Sequence, residues 1–303
     1  MEKVQTAAVE SLPQKNSRKS SKSFPWFRVV CLIPLLLWIF VLLVSPHVQL
    51  FVISFIKNRH PEEGFYLGNY FRFFSEPLYW RIFLRTAIYA ILTTFFTLAI
   101  CYPTAFFLAK LAKGRWKLGL ILLVVLPFWI SELVRTYSWM IMLRETGVIN
   151  WILVKVGILS KPIEMLYNDY AIFVGLSYAS MLFMLLPIYG VLDGLDDSLI
   201  EAAQDLGGSR WTVLWEIVWP HSLPGVTSGC IIVFMLTLGN YLTPTLMGGK
   251  NSLYFTETIY NQFIVSWNWN QGAAFGFLLL LLSGLFVWLG LKLTGQRLTE
   301  VVR

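Results

Sequence analysis

The chain has 303 residues, of which 56% are hydrophobic and 14% charged, whereas a soluble domain carries about 25% charged residues. A water-soluble globular protein is therefore excluded. The formal net charge of +7 is spread beside apolar stretches instead of gathered on a separate module, which argues against nucleic-acid binding.

Residues 1–25 are rich in Ser, Lys and Gln and are expected to form a solvated tail. Five windows without Asp, Glu, Lys or Arg follow, at 29–56, 86–109, 170–192, 217–249 and 258–291. Each reaches the roughly 20 residues that a helix, rising about 1.5 Å per residue, needs to cross a hydrocarbon core. A sixth stretch, 118–143, is apolar except for Glu132 and Arg135, each costing about 2.5–3.5 kcal/mol if alone at the bilayer centre. Its many apolar residues outweigh that cost, so it is read as a span bearing a paired or functional charge site.

The expectation is an all-α integral membrane protein with six transmembrane helices. The first helix and its outer segment occupy 26–81, and a core over 82–291 holds helices near 86–109, 118–143, 170–192, 223–247 and 272–291. A polar link covers 193–222 and a short tail 292–303. The first window is too long for a signal-peptide core and is expected to stay as an anchor. Cys31, Cys101 and Cys230 show no CxxC spacing, the three histidines are scattered, and neither HExxH nor GxSxG occurs. No metal site and no catalytic residues are expected.

Six Lys/Arg precede residue 29, and the link after the second window carries Lys110, Lys113, Arg115 and Lys117 without an acid. By the positive-inside rule both segments are cytoplasmic, and an even number of spans returns the C-terminus to the same side.

The 193–222 link then faces the cytoplasm and reads as two short helices. Ser198 and Glu201 have capping-box spacing, Gly207 and Gly208 end the first helix, and Ser209 can cap a second running toward Pro220. In that second helix Trp211, Leu214, Trp215, Val218 and Trp219 form one apolar stripe. It must bury itself, either on the membrane interface or on a partner. Asp193, Asp196, Asp197 and Asp205 make the link acidic, which suits a basic rim on a partner or a solvated face.

Glu201, Ala202 and Ala203, then Gly207, Ile217 and Pro220, reproduce the spacing of a loop that resembles the EAA signature of type I ABC importer permeases. Trp219 stands where that pattern usually has Leu. The resemblance implies a type I (MetI-like) permease bundle with a cytoplasmic coupling loop. Glu201, Ala202, Ala203, Leu206, Gly207, Arg210 and Trp211 would then dock on a dimer of cytoplasmic ABC ATPases. It also implies a second homologous permease, an external or periplasmic substrate-binding protein, and a multi-pass location in the bacterial inner membrane with both termini cytoplasmic. ATP and Mg would sit on the partner ATPase with no cofactor in this chain; residues 248–251 lack the first Gly and the Ser/Thr of a P-loop.

Gly68, Asn69, Tyr70 and the run from Glu76 through Arg85 to Thr86 resemble the outer segment of these permeases. The stretch 126–150, with Pro127, Phe128, Trp129, Arg135, Thr136, Tyr137, Trp139 and Gly147, is similar to the spermidine/putrescine branch, as is 246–249. Where that branch often carries an acid this chain has Asn240, which leaves amino-acid derivatives, opines, phosphonates and ferric ion as other solutes.

Within the windows, Glu132 and Arg135 at i, i+3 either neutralise each other on one helix face or border a pathway. In the second case Glu132 attracts a cation while Tyr137 and Trp139 offer aromatic faces, and Asn240 and Tyr241 add polar contacts. Prolines inside the windows suit helices that rearrange, but are also common in inert membrane helices. An ion-gradient-driven secondary transporter is the competing function class.

Overall fold

The computed structural model describes residues 25–58, 64–250 and 252–295, the side chains of 25–29 and 31 excepted. Most of the expected N-terminal tail, and 296–303 of the C-terminal one, lie outside the described residues. The chain divides into two units, residues 1–49 and 50–303.

Every regular element among the described residues is helical. Five helices are long and apolar enough to cross a membrane: α1 (Leu32–Ser54), α3 (Pro77–Leu111), α7 (Asp169–Asp193), α9 (Arg210–Gly239) and α12 (Trp269–Thr294). A short helix, α2 (Gly68–Ser75), precedes α3. A sixth span arises only if two helices bent by 96° are counted together, α4 (Gly114–Trp129) and the segment Glu132–Lys155. That segment consists of α5 (Glu132–Leu143) and α6 (Val148–Lys155). Shorter helices complete the chain: α8 (Asp197–Asp205), α10 (Leu242–Met247) and α11 (Phe255–Tyr260).

The straight third span expected over 118–143 is thus corrected to an elbow. Pro127 sits in a 3-10 turn, Leu126–Trp129, and Ile130 and Ser131 are extended. Glu132 then starts a new helix, a position its charge favours because helix N-termini carry partial positive charge. The fifth span is also not one rod over 223–247. α9 starts earlier, ends at Gly239, and is separated by Asn240 and Tyr241 from α10.

Each core helix is held by small residues where backbones cross. On α3 the buried positions include Thr86, Ala90, Thr94, Thr97, Cys101 and Ala105, a narrow stripe at helical spacing. α9 lies on α7 through Gly225 and Gly229. A Cβ added at these positions would stand 2.6 Å from the Pro187 carbonyl oxygen and 2.8 Å from the Met184 sulfur. Around this crossing the largest apolar cluster combines Leu108, Met184, Ile188, Leu192, Val213, Val218 and Val233. α12 joins through Phe286 stacked on Phe234, ring centroids 3.6 Å apart, and Phe275 against Tyr79 at 4.8 Å.

Four π-turns interrupt helices among the described residues: Phe40–Val44, Phe107–Leu111, Leu214–Val218 and Asn261–Val265. Two of them end two residues before a proline, Pro46 and Pro220. Proline has no N–H for the carbonyl four residues back and its ring crowds that carbonyl, so the turn widens.

Candidate functional site

The polar link between α7 and α9 is built on charge pairs with a distant part of the chain. Lys110, in the π-turn that ends α3, donates to the Leu195 carbonyl and, at 2.7 Å, to Asp197 Oδ1. Lys117 on α4 pairs with Asp193 at the end of α7. The basic link 110–117 and the acidic link therefore share one end of the molecule. Of the four acids that suit either a partner's basic rim or a solvated face, Asp193 and Asp197 are neutralised within the chain.

A third acid, Asp196, caps α8 by accepting from the Ser198 backbone N–H at 3.0 Å. That bond, helped by the Ser198 hydroxyl, holds its carboxyl below the usual carboxylate range. The expected Ser198–Glu201 capping box is corrected accordingly. Aspartate is at least as good a cap as serine and also gains from the helix dipole, so the cap lies two residues earlier, at Asp196.

α8 ends in a Schellman turn. Gly207 N–H reaches the Gln204 carbonyl and Gly208 N–H the Ala203 carbonyl, both at 2.9 Å, with Gly207 at φ 84°. Ser209 caps the next helix through Thr212 N–H at 3.2 Å, as its sequence position implies. That helix is not a second short one, however, but the beginning of α9, which continues without a stop past Pro220.

The apolar stripe divides. Val218 is buried and Leu214 packs on the main core, whereas Trp211 and Trp215 stay exposed. Val213, outside the expected stripe, supplies the missing inner contact. Ala203 packs inward, while Ala202 and Leu206 face out, Leu206 with 90% of its surface exposed. A cavity of about 620 Å³ opens beside them, with Glu201, Arg210 and Trp211 in its wall together with Lys110, Lys113 and Asp197.

A second cluster gathers at the elbow and at the break after α9. Glu132 Oε1 accepts from Asn240 Nδ2 at 2.7 Å, and Asn240 Oδ1 accepts from Thr243 N–H at 2.9 Å. The Asn240 carbonyl takes the Thr256 hydroxyl at 2.8 Å. One asparagine thus joins α5, α10 and α11. Next to it the rings of Tyr241 and Tyr260 stack at 4.4 Å. Glu257, half-buried on α11, has its carboxyl pushed above the usual range by burial, against a smaller lowering from the Tyr254 backbone N–H.

Glu132 and Arg135 do not pair with each other. The Arg135 guanidinium lies 4.6 Å from the Phe128 ring centre and 6.0 Å from that of Tyr178. Its Nε and Nη1 are buried without a hydrogen-bond partner among the described residues. Trp139 also meets Tyr178, edge-on at 5.4 Å, and Tyr137 is exposed. Of the six expected pathway residues, Glu132, Asn240 and Tyr241 come together, while Arg135 and Trp139 form a separate aromatic group.

A family profile described as "Binding-protein-dependent transport system inner membrane component" matches residues 14–299. The chain belongs to this family. The permease is 31% identical over 281 residues to the spermidine/putrescine transport system permease protein PotB of Salmonella typhimurium (strain SL1344), covering 91% of this chain and 97% of the relative. PotB of Escherichia coli (strain K12) is 33% identical over 253 residues, 82% of this chain and 91% of that one. A chain in the crystal structure of a bacterial alginate ABC transporter, in complex with alginate pentasaccharide-bound periplasmic protein, superposes with a TM-score of 0.74. It is 17% identical and covers 89% of this chain and 94% of its own. The family is one of transport subunits, not enzymes.

Sequence reasoning missed a polar clasp at the opposite end of the permease from the acidic link. Asp169, the first residue of α7, binds Arg85 of α3, the Tyr89 hydroxyl at 2.9 Å and the Ser252 hydroxyl at 2.6 Å. Each of the two charges stands just before a charge-free window, 86–109 and 170–192, and that is their only signal in the sequence. Glu257 and Tyr260 were missed too, because Glu257 stands out only as the residue that delays the last charge-free window.

Proposed function

We propose that this permease forms half of a transmembrane pathway importing a linear polyamine of the spermidine/putrescine kind. The solute is handed over by an external binding protein, and a second homologous permease forms the other half. The observation that carries the solute class is the cluster at the broken helices: Glu132 held by Asn240, Glu257 close by in sequence to the Asn240-bound Thr256, and the stacked pair Tyr241 and Tyr260. Carboxylates attract ammonium groups, and tyrosine faces bind the same cations through their π-systems. Relatives named for spermidine and putrescine support the same reading.

ATP, with Mg, is hydrolysed on a dimer of separate ATPase subunits that grip the exposed corner between α8 and α9, where Ala202, Leu206 and Trp211 offer apolar surface and Glu201 and Arg210 offer charge. Both termini and the α7–α9 link face the cytoplasm. The contact between the basic 110–117 link and this acidic link supports their common side.

The test is uptake of radiolabelled spermidine into proteoliposomes holding the complete importer. Glu132→Gln removes the charge while keeping a hydrogen-bonding shape, and should raise the half-saturating load of binding protein or slow uptake by about tenfold. Unaltered uptake by both Glu132→Gln and Glu257→Gln would remove the cation pathway from this cluster.

A further inference from the structure

The contact that ties the coupling loop to the membrane helices is concentrated in one side chain. Lys110 is 8% exposed while its carboxylate partner Asp197 is 70% exposed. The ammonium thus lies inside the fold and reaches outward to Asp197, and its second partner is the backbone carbonyl of the buried residue Leu195. These two contacts bracket the corner between α7 and α8, since Leu195 precedes the Asp196 cap and Asp197 is the first residue of α8.

The direction of Lys110 is itself built in. It lies in the π-turn Phe107–Leu111, closed by Ala112 N–H to the Phe107 carbonyl at 2.9 Å. A π-turn spreads a helical turn over an additional residue and so changes the azimuth of the side chains within it.

We propose that Lys110 is a positioning residue for energy coupling. By holding Leu195 and Asp197 it fixes the first turn of α8 to the inner end of α3, so that movement of the loop is passed to that span. The proposal rests on the reading of α8 as the ATPase-gripped element. Asp197 alone would be a weak tether, because a pair with one exposed partner is screened by water. The bond to the buried Leu195 carbonyl makes the link stiff, since losing it leaves a carbonyl without its donor.

The experiment uses the reconstituted importer and reads three quantities: ATPase retained on purification, ATP hydrolysis stimulated by loaded binding protein, and spermidine taken up per ATP. Lys110→Met should lower uptake per ATP about three- to tenfold while the ATPase still co-purifies. Lys110→Arg, which can reach both acceptors, should recover most of the ratio. Asp197→Asn, which keeps the backbone bond, should cost about twofold. An unchanged ratio in Lys110→Met, or an equal loss in Lys110→Arg, overturns the proposal.

If Lys110→Met yields no complex, Asp197→Lys decides, because it sets an ammonium against Lys110 without touching the core: a lowered ratio supports the tether, and a normal one sinks it. Leu206→Glu, at the exposed tip, separates the two readings. Release of the ATPase by Leu206→Glu together with normal coupling in the Lys110 variants refutes only the tether. An ATPase still bound and coupled in Leu206→Glu removes the coupling-loop reading as well.

Discussion

At the residue scale, Asn240 decides how the acidic group at the elbow is presented. Its amide nitrogen serves Glu132 and its amide oxygen caps Thr243, so both ends of the side chain are used. Asn240→Ala leaves a carboxylate and a helix N–H without partners, a loss of about 1–3 kcal/mol at each. It should lower the melting temperature of the purified permease and slow spermidine uptake. Asn240→Asp keeps the cap but sets two carboxylates side by side, so one takes up a proton; its uptake should become pH-dependent.

Glu257 carries a second pH signal. A carboxyl raised by burial holds its proton more tightly when folded than when unfolded. Its contribution to stability is therefore fully present below the ordinary carboxylate range and is lost as pH rises through the raised value. Thermal unfolding followed against pH should show that loss in the permease, and Glu257→Gln should flatten the curve over the same window. A curve of the same slope in both proteins would contradict the assignment.

At the scale of elements, the link between α7 and α9 is stiff, as the proposed lever requires, because the ends of its helices are fixed by backbone chemistry. Gly207 sits in the left-handed region, where a Cβ costs about 1 kcal/mol or more. Gly207→Val should fray the end of α8 and reduce retention of the ATPase more than Gly207→Ala does. The crossing of α9 on α7 is tighter still. Gly225→Leu drives a side chain into the Pro187 carbonyl and should cost about 1–3 kcal/mol or prevent assembly, read as loss of a monodisperse peak on gel filtration.

The same elements separate what a sequence reveals from what it hides. Charge-free windows locate α1, α3, α7 and α12 because lipid penalises charge along a whole helix, whatever its neighbours do. Hydropathy does not register direction, so the 96° elbow at Ile130 and Ser131 passes as a straight span. The turn at Gly207 and the cap at Ser209 are legible because they are local. Between Asp196 and Ser198 the competition for the cap is a contest of similar energies, and Ser198 with Glu201 is the more visible pattern. Long-range pairs leave no mark: nothing near Lys110 or Asp197 announces a contact across 87 positions, and Tyr241 and Tyr260 meet only because two helices break.

At the scale of the whole molecule, two polar ends flank an apolar core. At one end Arg85, Tyr89, Asp169 and Ser252 bind α3 to α7 and to the loop before α11; at the other, Lys110 and Lys117 bind α3 and α4 to the acidic link. Between them the core of α3, α7 and α9 is packed through glycines and small side chains, which favours movement as a block over deformation within it. In the proposed coupling, force applied at the acidic link reaches the elbow and the Asn240 break through that block. Those two irregular segments, which carry the groups proposed to bind the cation, are the parts that this mechanism leaves to change.

The most direct measurement is spermidine uptake by sealed proteoliposomes containing the permease, its partner permease, the ATPase and the binding protein, with ATP inside and no ion gradient. Uptake that requires both ATP and binding protein, and that falls when Leu206→Glu is introduced at the tip of α8, is the predicted result. Uptake that persists without ATP and follows an imposed proton or sodium gradient would contradict the account.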